Sequence, residues 1–180
     1  MDLASLPQAL HAASAPHGHS QAKVLEHFRE LYSTIEYHGR EVFLFGQGRE
    51  FGDRRHVISF HERESPAIPE HIYSYVLITY CYSGSFRMGV DGSPVVLDTG
   101  SCIVMDRHVP HSVEPTGPDD LVVNLILAEE FFEGRLLDGM ADLASPFATE
   151  LMTPSSAHEG WRVYPTADDE LVRTCIDRIL

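Results

Sequence analysis

The sequence predicts a mainly β domain, a barrel or jelly roll, with α-helices flanking it at both ends. Between positions 41 and 127, short runs rich in Val, Ile, Phe and Tyr are divided by Gly, Pro and Asp, at the spacing of an all-β meander or jelly roll. On either side of that stretch the apolar residues return to a helical period. A chain of 180 residues with 43% hydrophobic and 22% charged residues suffices for one compact domain with a real core, which sets aside disorder and a disulfide-stapled miniprotein.

The first residues are weakly patterned until Ser20, after which Val24, Leu25, Phe28, Leu31, Tyr32 and Ile35 recur at helical spacing and Gly39 supplies a stop. Eight strands follow, at 41–45, 56–61, 72–82, 85–90, 94–97, 101–105, 111–114 and 121–127. Asp91-Gly92 suits a tight hairpin with positive φ, and Asp98-Thr99-Gly100 and Gly117-Pro118-Asp119-Asp120 suit short turns. After Ala128 the period is helical again: Phe131, Phe132, Leu136, Leu137, Met140 and Leu143 mark one helix and 146–152 a second, shorter one. A brief strand at 161–164 adds to a sheet edge. Thr166 with Asp169 resembles a capping box, and Leu171, Val172, Cys175, Ile176, Ile179 and Leu180 form an apolar helical stripe. That stripe reaches the last residue, Ile179-Leu180, without a Gly or Asn cap, the pattern expected where a longer protein continues.

Charge excludes one class of partner. Thirteen Lys and Arg against 27 Asp and Glu give a net charge of −14, so this part of a protein is repelled by a phosphate backbone and is not expected to hold nucleic acid by itself. Cys81, Cys102 and Cys175 are odd in number and lack paired spacing, which fits reduced thiols in the cytoplasm. No stretch is long and apolar enough to span a bilayer. Ala13-Ser14-Ala15 looks like a signal-peptidase site, but an acidic start at Asp2 and interruptions at Pro7, Gln8 and His11 argue against secretion.

Strand alternation places candidate chemistry in the barrel. Read as one strand after Pro69, the residues His71, Tyr73, Tyr75, Leu77, Thr79 and Cys81 share a face, and Ile72, Val76, Ile78 and Tyr80 share the other. Bulk on both faces fits a wall between a ligand cavity and a packed second layer; it also fits a sheet between core and dimer partner. Nucleophile signatures are missing. Cys81 and Cys102 sit in strands with no arranged base, Gly46-Gln47-Gly48 lacks the Lys and helix start of a phosphate site, and no Gly-x-Ser-x-Gly elbow occurs.

Several of these residues carry a resemblance. Pro69-x-His71-x-Tyr73, Ser83-Gly84, Asp91-Gly92, the run Asp98 to Met105, and Val109-Pro110-His111 resemble the two signature regions of a cupin, a double-stranded β-helix. More narrowly, the chain from 41 to 180 resembles the N-terminal ligand-sensing domain of AraC-type transcription regulators. The metal-binding cupin pattern, His-x-His-x-x-x-Glu with a later His, is only half present: His71 and His111 remain, Tyr73 stands for the second His and Leu77 for the Glu. A pair of imidazoles is too weak to recruit a catalytic metal, so no metal or other cofactor is expected; if one is held, His71 and His111 would be ligands, with His108 or His61 as replacements.

The resemblance implies an arm and helix over 1–40, an effector-binding barrel over 41–128 and a helical dimerisation and linker region over 129–180, with helix-turn-helix DNA-binding units beyond 180. It implies a small-molecule effector, a sugar or similar metabolite; the cavity's own aromatic and hydrogen-bonding residues make His71, Tyr73, Tyr75 and His111 the candidate contacts, with Arg87 as an anchor for an anionic or hydroxylated ligand and Asn124 as a weaker contact. A homodimer is expected through Phe132, Leu136, Met140, Leu171, Cys175 and Ile179, with DNA contacted only through the further domain and no membrane association. No catalytic residues are expected. The competing reading is a free-standing cupin enzyme or metal-binding cupin acting on a small molecule.

Overall fold

A computed structural model describes residues 6–16, 18–45, 51–132 and 160–180. Two helices open the chain, α1 (Leu6–Ala13) and α2 (Gln21–Leu31). The strands are β1 (Ser33–Tyr37), β2 (Arg40–Phe45), β3 (His56–Phe60), β4 (Ile68–Tyr73), β5 (Val76–Ser83), β6 (Ser85–Val90), β7 (Ser93–Asp98), β8 (Cys102–Met105), β9 (His111–Val113) and β10 (Leu121–Leu127). A 3₁₀ turn, Glu129–Phe132, precedes β11 (Trp161–Tyr164) and the last helix, α3 (Glu170–Ile179).

The strands form a six-stranded sheet in the order β1-β2-β4-β9-β6-β7 and a five-stranded sheet in the order β11-β8-β5-β10-β3, the two layers of a jelly roll. The β2–β4 pair is parallel; the other pairs are antiparallel. Alternation along each strand builds the core between the sheets. Phe86, Met88, Val90, Leu97 and Val113 come from the first sheet and Leu77, Cys81, Ile103, Met105, Val122 and Ile126 from the second. Burying side chains of this size stabilises the fold by roughly 1.5–3 kcal/mol each.

A second cluster covers the outer face of the five-stranded sheet. Tyr80, Tyr82, Leu121 and Val123 pack against Leu6 and Leu10 of α1, with Val172, Ile176 and Leu180 of the α3 segment beside them. The α3 stripe is thereby divided: Leu171, Cys175 and Ile179 are left exposed, Leu171 at 72% and Ile179 at 50%.

The expected strands 85–90 and 121–127 and the expected edge strand 161–164 are found at those bounds, and Asp91 and Gly92, with φ of 47° and 78°, close a two-residue hairpin between Val90 and Ser93. Four local readings are corrected. Helix α2 ends at Leu31 rather than near Gly39, because β-branched Thr34 and Ile35 with Tyr37 prefer a strand and Ile35 pairs with Val42. His38 and Gly39, with φ of 48° and 77°, are its hairpin turn. Helix α1 is not marked by the sequence pattern; its two leucines four apart are buried on the sheet. The single strand 72–82 is two, and the chain passes from one sheet to the other at Ser74-Tyr75, where no Gly or Pro signals the break.

At α3 the capping box is not made. Asp169 is the N-cap, its carboxylate accepting from the backbone N–H of Leu171 and Val172, while the Thr166 hydroxyl donates to the Gly100 carbonyl at 2.6 Å. The helices expected at 129–143 and 146–152 lie outside the described residues beyond the 3₁₀ turn, and with them Leu136, Met140 and the side chain of Phe132; Gly46-Gln47-Gly48 lies outside them too.

Candidate functional site

The register of β4 against β9 sets His71 directly opposite His111. Their ring centroids are 4.1 Å apart, and both residues are buried, at 2% and 3% exposure. The parallel pairing of β2 with β4 sets Phe45 beside them, stacked on His71 at 4.3 Å, and Tyr73 closes the group with its ring 5.2 Å from His111.

Both imidazoles are held in the same way. The Nδ1–H of His71 donates to the Pro69 carbonyl at 2.8 Å and that of His111 to the Val109 carbonyl at 3.1 Å, each two residues upstream. A carbonyl can only accept, so Nδ1 carries the proton in each ring and Nε2 keeps its lone pair. Burial pushes the His111 pKa down to about 4. His71 is held well below the ordinary imidazole range, first by burial and then by the neighbouring His111. At neutral pH the pair is therefore two uncharged acceptors.

These rings line a cavity of about 370 Å³ inside the barrel. Thr79 and Asn124, a cross-strand pair of β5 and β10, form part of its wall; the Thr79 hydroxyl donates to Asn124 Oδ1 at 2.8 Å, which leaves the Asn124 amide N–H groups as donors. Phe28 and Tyr32, from α2 and the residue that caps it, lie over the mouth, and Tyr32 stacks on Phe45 at 3.9 Å. Adjoining the cavity is a depression of about 660 Å³ that shares Phe28, Tyr32, Glu62 and Ile68 with it.

Of the residues the sequence singles out, His71, Tyr73, His111 and Asn124 meet at this cavity. Tyr75 does not line it: buried at the bend between β4 and β5, it stacks on Tyr73 and packs edge-on against Phe51. Arg87 is exposed, because Phe86, Met88 and Val90 take the inward positions of β6, so it is no anchor for a ligand in the barrel. His61 reaches the cavity wall. His108 is exposed in a turn, with φ of 68°, and does not line the cavity.

Thr79 lies on the face that alternation assigns to the cavity, but nothing in the sequence marks it as polar lining rather than core. The contributions of Phe28, Tyr32, Phe45, Phe60, Glu62 and Ser65 depend on long-range docking that periodicity does not encode.

The residues present do not fit the metal of the metal-binding cupins. Tyr73 and Leu77 occupy the wall where the pattern needs an imidazole and a carboxylate, and among the described residues no group of three or more His, Cys, Asp or Glu is placed to hold a metal ion. Cys81 is buried with its pKa raised to about 12, and burial also raises that of Cys102, so both thiols stay protonated and neither is an activated nucleophile.

The N-terminal segment is fastened beside the cavity. Arg63, 7% exposed, donates from Nε to the Ser14 carbonyl at 2.6 Å and from its two terminal nitrogens to the carbonyls of Pro118 and His11 at 3.0 and 3.2 Å. The Ser14 hydroxyl donates to the His61 carbonyl at 2.7 Å. The arm is thus tied to the strand end that carries His61 and Glu62.

Among the described residues no helix is long and apolar enough to cross a membrane. Residues 56–171 match the family model of the AraC-like ligand binding domain. No curated protein matches the sequence significantly. Similar solved structures include ToxT from Vibrio cholerae, at 11% identity and a TM-score of 0.47 over 69% of this chain and 46% of that one. KdgF from Halomonas sp. is similar at 24% identity and a TM-score of 0.36, over 41% of this chain and 67% of that one. An RmlC-like cupin from Shewanella frigidimarina is similar at 18% identity and a TM-score of 0.35, over 66% and 98%. The chain spans less than half the length of ToxT.

Proposed function

The chain belongs to the AraC-like ligand-binding domain family, and on that premise we propose that it is the effector-sensing part of a transcription regulator, binding a small metabolite inside the barrel and catalysing nothing. The observation that carries this reading is the buried pair His71 and His111, two uncharged acceptors set into an aromatic-lined cavity where, among the described residues, no group of three or more His, Cys, Asp or Glu is placed to hold a metal ion. Ligand binding shifts the balance between arrangements of the arm, the barrel and the helical face, and so changes how DNA-binding units elsewhere in the protein are presented. The protein acts as a cytoplasmic homodimer, joined through the exposed side of α3 with Leu171, Cys175 and Ile179, and by the segment that holds Phe132, Leu136 and Met140. It meets DNA only through those further units, in keeping with the charge of −14.

A thermal-shift screen of small metabolites, with metal content measured on the same preparation, tests the reading. Concentration-dependent stabilisation by a metabolite that is recovered unchanged, without stoichiometric metal, is the expected result. Stoichiometric metal together with turnover of the stabilising compound overturns it in favour of a cupin enzyme.

A further inference from the structure

The cavity has a sign. Its described lining holds six Phe and Tyr side chains but no Lys or Arg, and the exposed Arg87 faces away. The buried His71 and His111 offer lone pairs and no proton, since each Nδ1–H is already spent on a backbone carbonyl. The approach has the same bias: Glu62 lines both the cavity and the outer depression, where Glu26 and Glu30 stand with it against the single Lys23. A carboxylate or phosphate entering the barrel would be desolvated facing lone pairs, aromatic faces and a glutamate, with the uncharged amide of Asn124 as a donor but no cation to balance it. An ammonium group meets acceptors, ring faces that attract cations and a carboxylate at the mouth. The whole-chain charge of −14 steers in the same direction.

We propose that the barrel is selective for a positively charged organic amine, its apolar body against Phe45, Phe28 and Tyr32, its N–H groups donating to the Nε2 atoms of His71 and His111, and its charge balanced by Glu62. This rests on the reading of the barrel as a ligand sensor and narrows the ligand from a neutral sugar to an amine.

Three probes of matched body separate the charge from the shape: phenethylamine, phenethyl alcohol and phenylacetate, titrated into the protein by calorimetry at neutral pH. The amine is expected to bind roughly tenfold or more tightly than the alcohol, as loss of a charge-assisted hydrogen bond implies, with phenylacetate weakest. Glu62→Gln, a near-isosteric change at an exposed position on the rim, is expected to erase most of the amine's advantage over the alcohol, with the variant's melting temperature measured alongside. Equal binding of amine and alcohol, tighter binding of phenylacetate, or an undiminished amine preference in Glu62→Gln overturns the amine assignment while leaving a ligand-binding barrel in place. Binding of none of the three at millimolar concentration also overturns it, and the metabolite screen then decides separately whether the barrel is a sensor.

Discussion

Two imidazoles buried as neutral acceptors make folding sensitive to acid. His111 takes its proton near pH 4 in the folded protein and near 6.5 when unfolded, and His71 is shifted in the same direction. Protons therefore bind the unfolded chain first as pH falls. The stability present above pH 6.5 is lost between that value and about 4, with His111 alone accounting for roughly 3 kcal/mol. Denaturant melts across that window should show this decline, and His111→Asn, which keeps hydrogen-bonding capacity but does not titrate, should flatten it; an unchanged slope would contradict the buried neutral pair. Half of this site was legible in the sequence. The spacing to Pro69 and Val109-Pro110 marked His71 and His111, and strand alternation put Tyr73 and Thr79 on their side. Arg87 was misplaced because parity on a strand after a turn is undetermined until the turn's geometry is known, and Glu62 gave no signal because its role comes from where α2 docks.

Individual elements are held by few contacts, each of which can be broken. Arg63 satisfies three carbonyls, two of them in the arm, so Arg63→Met strands those acceptors. It should cost on the order of 1–3 kcal/mol and expose the arm to limited proteolysis, whereas an arm as protected as in the parent would contradict the fastening. Gly100, with φ of 86°, passes so close to the α3 approach that an added Cβ would lie 2.6 Å from the Ala167 Cα. Gly100→Ala is expected to destabilise by about 1–3 kcal/mol, measured by chemical denaturation. Strands bounded by Gly, Asp and Pro were readable because turn chemistry is local. The break at Ser74-Tyr75, the strand Ser33–Tyr37 and helix α1 were not, because each is decided by what it packs on: two sheets, the neighbouring β2, and Tyr80 with Tyr82. The break nevertheless left the inward set His71, Tyr73, Leu77 and Thr79 on the cavity side.

For the whole molecule, the division of the α3 stripe bears on assembly. Its inner side is spent on the barrel, and the exposed Leu171 and Ile179 are the apolar surface a partner would cover. Sedimentation should give a dimer that Leu171→Ser with Ile179→Ser converts to monomer with little change in melting temperature; an unaltered dimer would place the interface elsewhere. The proposed ligand contact is the pair of imidazoles, and histidine-selective nitrogen NMR during titration with a stabilising metabolite reads both rings. The Nε2 resonances of His71 and His111 should move while their Nδ1 resonances, fixed by the carbonyls of Pro69 and Val109, stay put. A metabolite that stabilises the protein yet leaves both rings unshifted would mean that the ligand binds away from the paired imidazoles.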